Sequence, residues 1–161
     1  MRLAMLAASA VVVLGIAACN QEKAAVTHYD LSAAANQKFL ADNALKPGVK
    51  RLPDGLQYKV IKSGHGKGVT RNDDMVTVNY KGQLIDGKVF DQTQPGRPAT
   101  FAAGGLIPGW VEALSMMHEG DEWQLVIPSS LGYGAQGAGD VIPADQTLIF
   151  DMTLISVQPG Q

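Results

Sequence analysis

The segment GYGAQG, Gly132 to Gly137, has the G-x-G-x-x-G spacing that lays backbone N–H groups against a pyrophosphate in dinucleotide-binding folds. That chemistry needs glycines that leave a strand and open a helix within a βαβ unit. Here AGDVIPADQ follows, which is turn chemistry with a proline, and the chain then re-enters a strand pattern. No nucleotide is therefore predicted, and the glycines read as the joints of a long surface loop lying close to something bound. GHGKG, Gly64 to Gly68, lacks the spacing and the Lys-Ser/Thr ending of a phosphate-binding loop. His28, His65 and His118 are scattered, with no second ligand at metal spacing, and read as solvated histidines. No G-x-S-x-G elbow occurs, and Ser129-Ser130 has no evident basic partner. The residue types predict that any catalysis here works without a nucleophile, a metal or a cofactor.

The elements that would position a site follow from periodicity. In MVTVNYKGQL, Val76, Val78 and Tyr80 share one face and Thr77, Asn79 and Lys81 the other, as in a half-buried antiparallel strand. The same alternation runs through Leu56, Tyr58 and Val60, through Trp123, Leu125 and Ile127, and through Leu148, Phe150, Met152 and Leu154. Asp86-Gly87 between GQLI and KVFD predicts a two-residue hairpin. PGWVEALSMM opens with proline and aligns Trp110, Leu114 and Met117 along one helical face. Several strands and one core helix predict an α+β domain, a twisted antiparallel sheet wrapped around one central α-helix. Upstream, Asp30 is placed as an N-cap, and Leu31, Ala35 and Phe39 recur at helical spacing until Lys46-Pro47-Gly48. This short helix either packs on the domain or serves as a stalk.

With 161 residues, the chain holds one modest core, and its 46% apolar and 17% charged residues with net charge −2 argue against a nucleic-acid binder. Residues 1–18, MRLAMLAASAVVVLGIAA, place one Arg before an unbroken small and apolar run without acids. The run is short for a membrane span and fits a secretory leader. Cys19, the single cysteine, stands in IAAC and resembles the lipobox of bacterial lipoprotein precursors. Acylation of Cys19 would explain an exported cysteine without a disulfide partner, and simple cleavage after the small residues is the competing reading. The expected organisation is a lipoprotein signal peptide at 1–18, a lipidated tether with one short helix at 19–48, and a globular domain at 49–161.

Beyond these features, VTVNYKGQLIDGKVFDQT and GRPATFAAGGLIPGWVEALSMMHEGDEWQLVIPSSLGYGAQGAGDVIPADQTLIFDMTLI resemble FKBP-type peptidyl-prolyl cis-trans isomerases. The branch resembled is that of the bacterial macrophage infectivity potentiators, over about Gly55 to Val157, with a similar lead-in in NQKFLADNALKPGVKRLPDGLQYKV. The resemblance implies an apolar cup on the concave sheet face, floored by the central helix. It assigns Tyr80 to a wall, Phe90 and Asp91 to the rim, Leu106 and Ile107 to the loop over the helix start, and Trp110 to the floor. Tyr133 would reach a ligand carbonyl, the Ile107 N–H would bond a substrate carbonyl, and Val141, Ile142 and Phe150 would form the far wall. For Asp91 three roles stand open: it holds a pocket tyrosine, it sets negative potential against the substrate carbonyl carbon, or it caps the turn after its strand. Ala99 and Ala138 replace bulkier residues of the eukaryotic pattern, which implies a wider and less selective mouth.

Isomerisation suits such residues. Rotation about a peptide C–N bond crosses about 18–20 kcal/mol because amide resonance is lost on twisting. A cup that binds the twisted, less dipolar amide better than either planar form lowers that barrier without breaking a bond. The implied partners are proline-containing unfolded or exported polypeptides and the macrolide inhibitors of the family, with the membrane reached through lipid on Cys19. The short arm predicts a monomer, and Asn20 after the cysteine favours the outer membrane of a Gram-negative envelope. A non-catalytic holding chaperone for unfolded exported chains is the alternative function.

Overall fold

A computed structural model describes residues 30–160 of the chain. The alternating segments become seven strands: β1 (Val49–Arg51), β2 (Gln57–Lys62), β3 (Met75–Gln83), β4 (Val89–Gln92), β5 (Ala99–Ala102), β6 (Glu122–Ile127) and β7 (Leu148–Gln158). All pair antiparallel in one sheet of order β1-β2-β6-β7-β3-β4, with β5 also paired to β3. Helices α1 (Ala33–Ala44) and α2 (Pro108–Met116) complete the fold.

The helix α2 starts where expected because Pro108 occupies its first turn, where a missing N–H costs nothing. Its buried Trp110, Ala113 and Leu114, with Met117 just past its end, meet Val76, Val78, Leu125, Phe150, Met152 and Leu154 on the concave face. Val126 and Ile149 pair across β6 and β7 one residue out of step with Leu125 and Phe150, so they face the other side. There they join Phe39 and Ile85 in a second cluster, against which Leu31, Ala35 and Leu40 pack. Burying a side chain such as Phe39 is worth about 1.5–3 kcal/mol. The upstream helix thus lies on the convex face of the sheet, and the sheet is covered on both sides where β6 and β7 run together.

Two local details differ from the sequence expectation. The helix α1 is capped by Ser32, whose Oγ accepts from the Ala35 N–H at 3.2 Å. Asp30 lies two residues earlier and accepts from the Ser32 N–H at 2.8 Å, which orients the cap without being it. The β3–β4 hairpin has a three-residue loop, Ile85-Asp86-Gly87: the Leu84 N–H donates to the Lys88 carbonyl at 2.9 Å, the Gly87 N–H to the Leu84 carbonyl at 3.0 Å. Gly87 closes it at φ +88°, as in a type I turn with a bulge. The extra residue is Ile85, only 6% exposed because it turns into the second cluster beside Phe39.

The GHGKG segment also has a structural role: the Gly64 N–H donates to Asp121 Oδ1 at 2.6 Å and the Gly66 N–H to the Glu119 carbonyl at 3.1 Å. It is pinned against the turn before β6. Among the described residues no helix is long and apolar enough to cross a membrane. The leader at 1–18, Cys19 and His28 lie outside the described residues.

Candidate active site

The site forms where β3, β4, β5 and β7 curl over the start of α2. Asp91, Gly82 and Phe150 stand in one line across β4, β3 and β7, and Tyr80 lies two residues from Gly82 on the same face. A Cβ on Gly82 would press into the rings of Phe90 and Phe150 at 2.7 Å, so glycine here lets the two rings meet over the strand. They do so edge to face, with centroids 5.5 Å apart.

Trp110 lies beneath them. Its indole is nearly perpendicular to Tyr80 and Phe150, each at 5.1 Å, and to Phe101 at 6.2 Å. Three rings therefore stand as walls on one flat floor, an arrangement that aromatic quadrupoles favour by about 0.5–1.5 kcal/mol per pair. They enclose a cavity of about 160 Å³ lined by Tyr80, Phe90, Asp91, Phe101, Leu106, Ile107, Trp110, Tyr133 and Phe150. Trp110 is 4% exposed, so its inner side is core while its upper side is floor.

Among the described residues the one charge lining this rim, Asp91, has a defined partner. The Tyr80 hydroxyl donates to Asp91 Oδ2 at 2.6 Å. Burial of the phenol, then this hydrogen bond and the Asp91 charge, push the Tyr80 hydroxyl well above the ordinary tyrosine range. Tyr80 is thus a permanent donor to Asp91, and the carboxylate on β4 is bonded across to β3.

Besides the buried Trp110 Nε1, which has no hydrogen-bond partner among the described residues, two donors at the cavity wall are unspent. The Ile107 N–H, at the N-cap of α2, has no hydrogen-bond partner among the described residues, while the Ile107 carbonyl already receives the Trp110 and Val111 N–H groups. The Tyr133 hydroxyl likewise has none, and the residue is 39% exposed. Tyr133 sits between two short 3-10 turns, Ser129–Leu131 and Gly134–Gln136, in the segment whose glycines resemble a nucleotide motif. Gly137 explains those glycines: it has φ +62°, and a Cβ there would collide with the Ile142 carbonyl oxygen. The loop folds back at that point, with Ala138 and Ile142 exchanging two backbone bonds at 2.8 and 3.2 Å.

Of the residues assigned by resemblance, Tyr80, Phe90, Asp91, Leu106, Ile107, Trp110, Tyr133 and Phe150 come together in this cavity. Val141 and Ile142 do not line it. Ile142 is 3% exposed and packs into the main core, and Val141 is 48% exposed at the loop tip. Phe101 is the lining residue that sequence reasoning did not single out; its one signal is the alternation with Ala99 along β5, where Thr100 and Ala102 are exposed. Among the described residues no group of three or more His, Cys, Asp or Glu is arranged to hold a metal ion.

Comparison with known proteins agrees with this architecture. The pattern of the FKBP-type peptidyl-prolyl cis-trans isomerase family matches residues 66–155, and that of the domain amino terminal to such isomerases matches residues 6–60. The peptidyl-prolyl cis-trans isomerase Mip of Coxiella burnetii is 49% identical over 128 residues, covering 79% of this chain and 55% of the relative. A probable FKBP-type isomerase FkpA of Neisseria meningitidis is 46% identical over 142 residues, covering 85% of this chain and 52% of the relative. The chain thus spans about half the length of these curated relatives. The crystal structure of FkpA from Escherichia coli superposes with a TM-score of 0.75 at 41% identity, covering 80% of this chain and 60% of that one. A peptidyl-prolyl isomerase structure from Pseudomonas syringae gives 0.73 at 41% identity, covering 79% and 93%. Matched by the family pattern over more than half of its length, and by these relatives in sequence and in overall shape, this chain belongs to the FKBP-type peptidyl-prolyl cis-trans isomerase family.

Proposed function

We propose that the chain accelerates cis-trans rotation of X-Pro bonds in exported polypeptides, from a lipid anchor on Cys19 in a Gram-negative envelope, favouring the outer membrane. The observation that carries the catalytic half is the cavity itself: three aromatic walls on an indole floor, one carboxylate at the rim, and two unpaired donors. The anchor rests on the IAAC motif, and a relative from Legionella longbeachae is named an outer membrane protein.

A prolyl ring placed on Trp110 would bring its preceding amide between Tyr80, Phe101 and Phe150. Twisting removes the amide's resonance and part of its dipole, and an apolar surround penalises the planar forms relative to the twisted one. The Ile107 N–H and Tyr133 hydroxyl would hold the carbonyls on either side, so that rotation is confined to one bond. Each 1.4 kcal/mol of preference for the twisted amide is worth about tenfold in rate. Asp91, bonded to Tyr80, fixes that wall and keeps negative charge beside the turning carbonyl carbon.

The test is the cis-to-trans relaxation of an Ala-Leu-Pro-Phe peptide with the chain beginning at Asn20, the same chain carrying Asp91→Ala, and a macrolide inhibitor of the family. The expected result is acceleration abolished by the inhibitor and reduced about tenfold by the substitution. Unaccelerated relaxation by a folded protein that still suppresses aggregation of an unfolded client would establish the holding chaperone instead.

A further inference from the structure

Charge is unevenly divided over this fold. Residues 46 to 62 hold Lys46, Lys50, Arg51, Lys59 and Lys62 against one acid, Asp54, whereas residues 63 to 160 hold eleven acids and five bases. The cations belong to β1, β2 and the turn leading into them, and β1 is the terminal strand of the sheet. Lys46, Lys50, Arg51 and Lys62 are exposed and Lys59 half-buried. Among the described residues Lys62 alone of the five has a carboxylate within ion-pair distance, at 3.8 Å from Glu122. Lys46 and Lys50 rest over the rings of Phe39 and Tyr58 at 5.4 and 5.7 Å, which supports their stems while leaving their charge uncompensated. Leu45, 85% exposed, adjoins Lys46 in sequence, whereas the exposed Ile61 lies off this edge, in a groove with Glu122 and Asp151.

We propose that this β1 edge is a seat for an anionic lipid bilayer, on which the domain stands edge-on. The proposal rests on the envelope reading of the preceding section. Three observations favour a bilayer over another polyanion. The edge sets its cations beside the exposed side chain of Leu45, a pairing of charge and apolar surface that suits the boundary between headgroups and acyl chains. Cys19 and Asp30 are 11 positions apart, a reach of at most about 40 Å, so an anchored domain stays near the surface and weak attraction suffices. The cavity rim at β4, with Asp91, lies at the opposite end of the strand order. Seating β1 therefore turns the cup and its negative charge away from the membrane and toward polypeptides in solution. Attraction to the bilayer acts only within a Debye length, about 8–10 Å at physiological salt, so it orients the domain without burying it.

The test uses the full chain with phosphatidylcholine vesicles, with and without about 30% phosphatidylglycerol, at about 0.05 and 0.5 M salt. Retention on neutral vesicles reports the anchor, and the difference between the two lipid compositions reports the edge, so either reading can fail alone. We expect hydrogen exchange of residues 46–62 to slow on anionic vesicles only, with recovery at high salt and no change at residues 88–107. Lys50→Gln/Arg51→Gln should weaken the added partitioning about 25-fold, at about fivefold per cation, and leave prolyl isomerisation unchanged. Equal exchange on both lipid compositions, protection at residues 88–107, or tighter binding to polyglutamate or a DNA oligonucleotide than to anionic vesicles would each overturn the proposal.

Discussion

At the scale of single residues, the decisive contact is the hydroxyl of Tyr80 on Asp91. It separates two ways in which the carboxylate could matter, by holding a wall in place or by acting through its own field. A double-substitution cycle distinguishes them. If Asp91 works by holding the tyrosine, Tyr80→Phe and Asp91→Ala each lower kcat/KM, by about three- to tenfold, and the double variant is no worse than the worse single one. If its field acts independently, the losses multiply. Because burial and Asp91 keep the phenol protonated, the Tyr80 contribution should be flat between pH 6 and about 10. Relaxation rates of the four proteins against pH provide the measurement.

At the scale of elements, α1 is joined to the sheet by buried amides as much as by its apolar stripe. Asn36 Nδ2 donates to Gln146 Oε1 at 3.2 Å, and Asn36 Oδ1 accepts from the Thr147 N–H at 2.7 Å. Near the other end of the helix, Asn43 Nδ2 donates to Gln57 Oε1 at 2.9 Å, and Gln57 Nε2 donates to the Leu40 carbonyl at 2.8 Å. All four amide side chains are at most 5% exposed, so removing one partner strands another in a dry place. Asn36→Ala should therefore cost about 2–4 kcal/mol in urea unfolding, more than a helical surface change costs. The peptide relaxation rate at low temperature should stay at its original value, because α1 lies on the face away from the cavity. A loss below about 0.5 kcal/mol would mean that water replaces these bonds freely.

At the scale of the whole molecule, one proton links the turn before β2 to α2. The side chains of Asp54 and Glu112 share it, which holds Asp54 low and, with burial and the Asp54 charge adding to that hydrogen bond, pushes Glu112 up to about 7. A raised carboxyl pKa means that the folded state holds the proton more tightly than the unfolded one. Its contribution is fully present below the unfolded value, about 4.3, and is lost as pH rises through about 7. The depressed Asp54 works in the opposite sense and lower down, losing its contribution as pH falls below the usual aspartate range. Thermal unfolding from pH 5 to 8 should then show the original chain losing stability relative to Glu112→Gln, whose amide cannot ionise. Every other titratable group is common to both proteins and cancels in the difference. Parallel curves would show that the two carboxylates are solvated separately.

How much of this was legible in the chain depends on the range of the interaction. Period-two alternation placed the long strands, and proline with the Trp110, Leu114 and Met117 spacing placed α2, because burial of one face acts on neighbours in sequence. Eight residues quoted from separate motifs meet in one cavity because those motifs match a family whose strand order is already known. Interactions between segments far apart were not legible. Polarity alone cannot mark Asn36, Asn43, Gln57 and Gln146 as core, since an amide is buried only when a distant partner satisfies it. Ile85 lengthened the hairpin because a helix some forty residues earlier offered it an apolar seat. Phe101 became a wall, and Ile142 went into the core, through the curl of β5 and the fold-back at Gly137. The sequence by itself determined which faces seek burial and which residue types line a cup; only the tertiary structure decided which distant groups satisfy one another, because that depends on distances that no local pattern encodes.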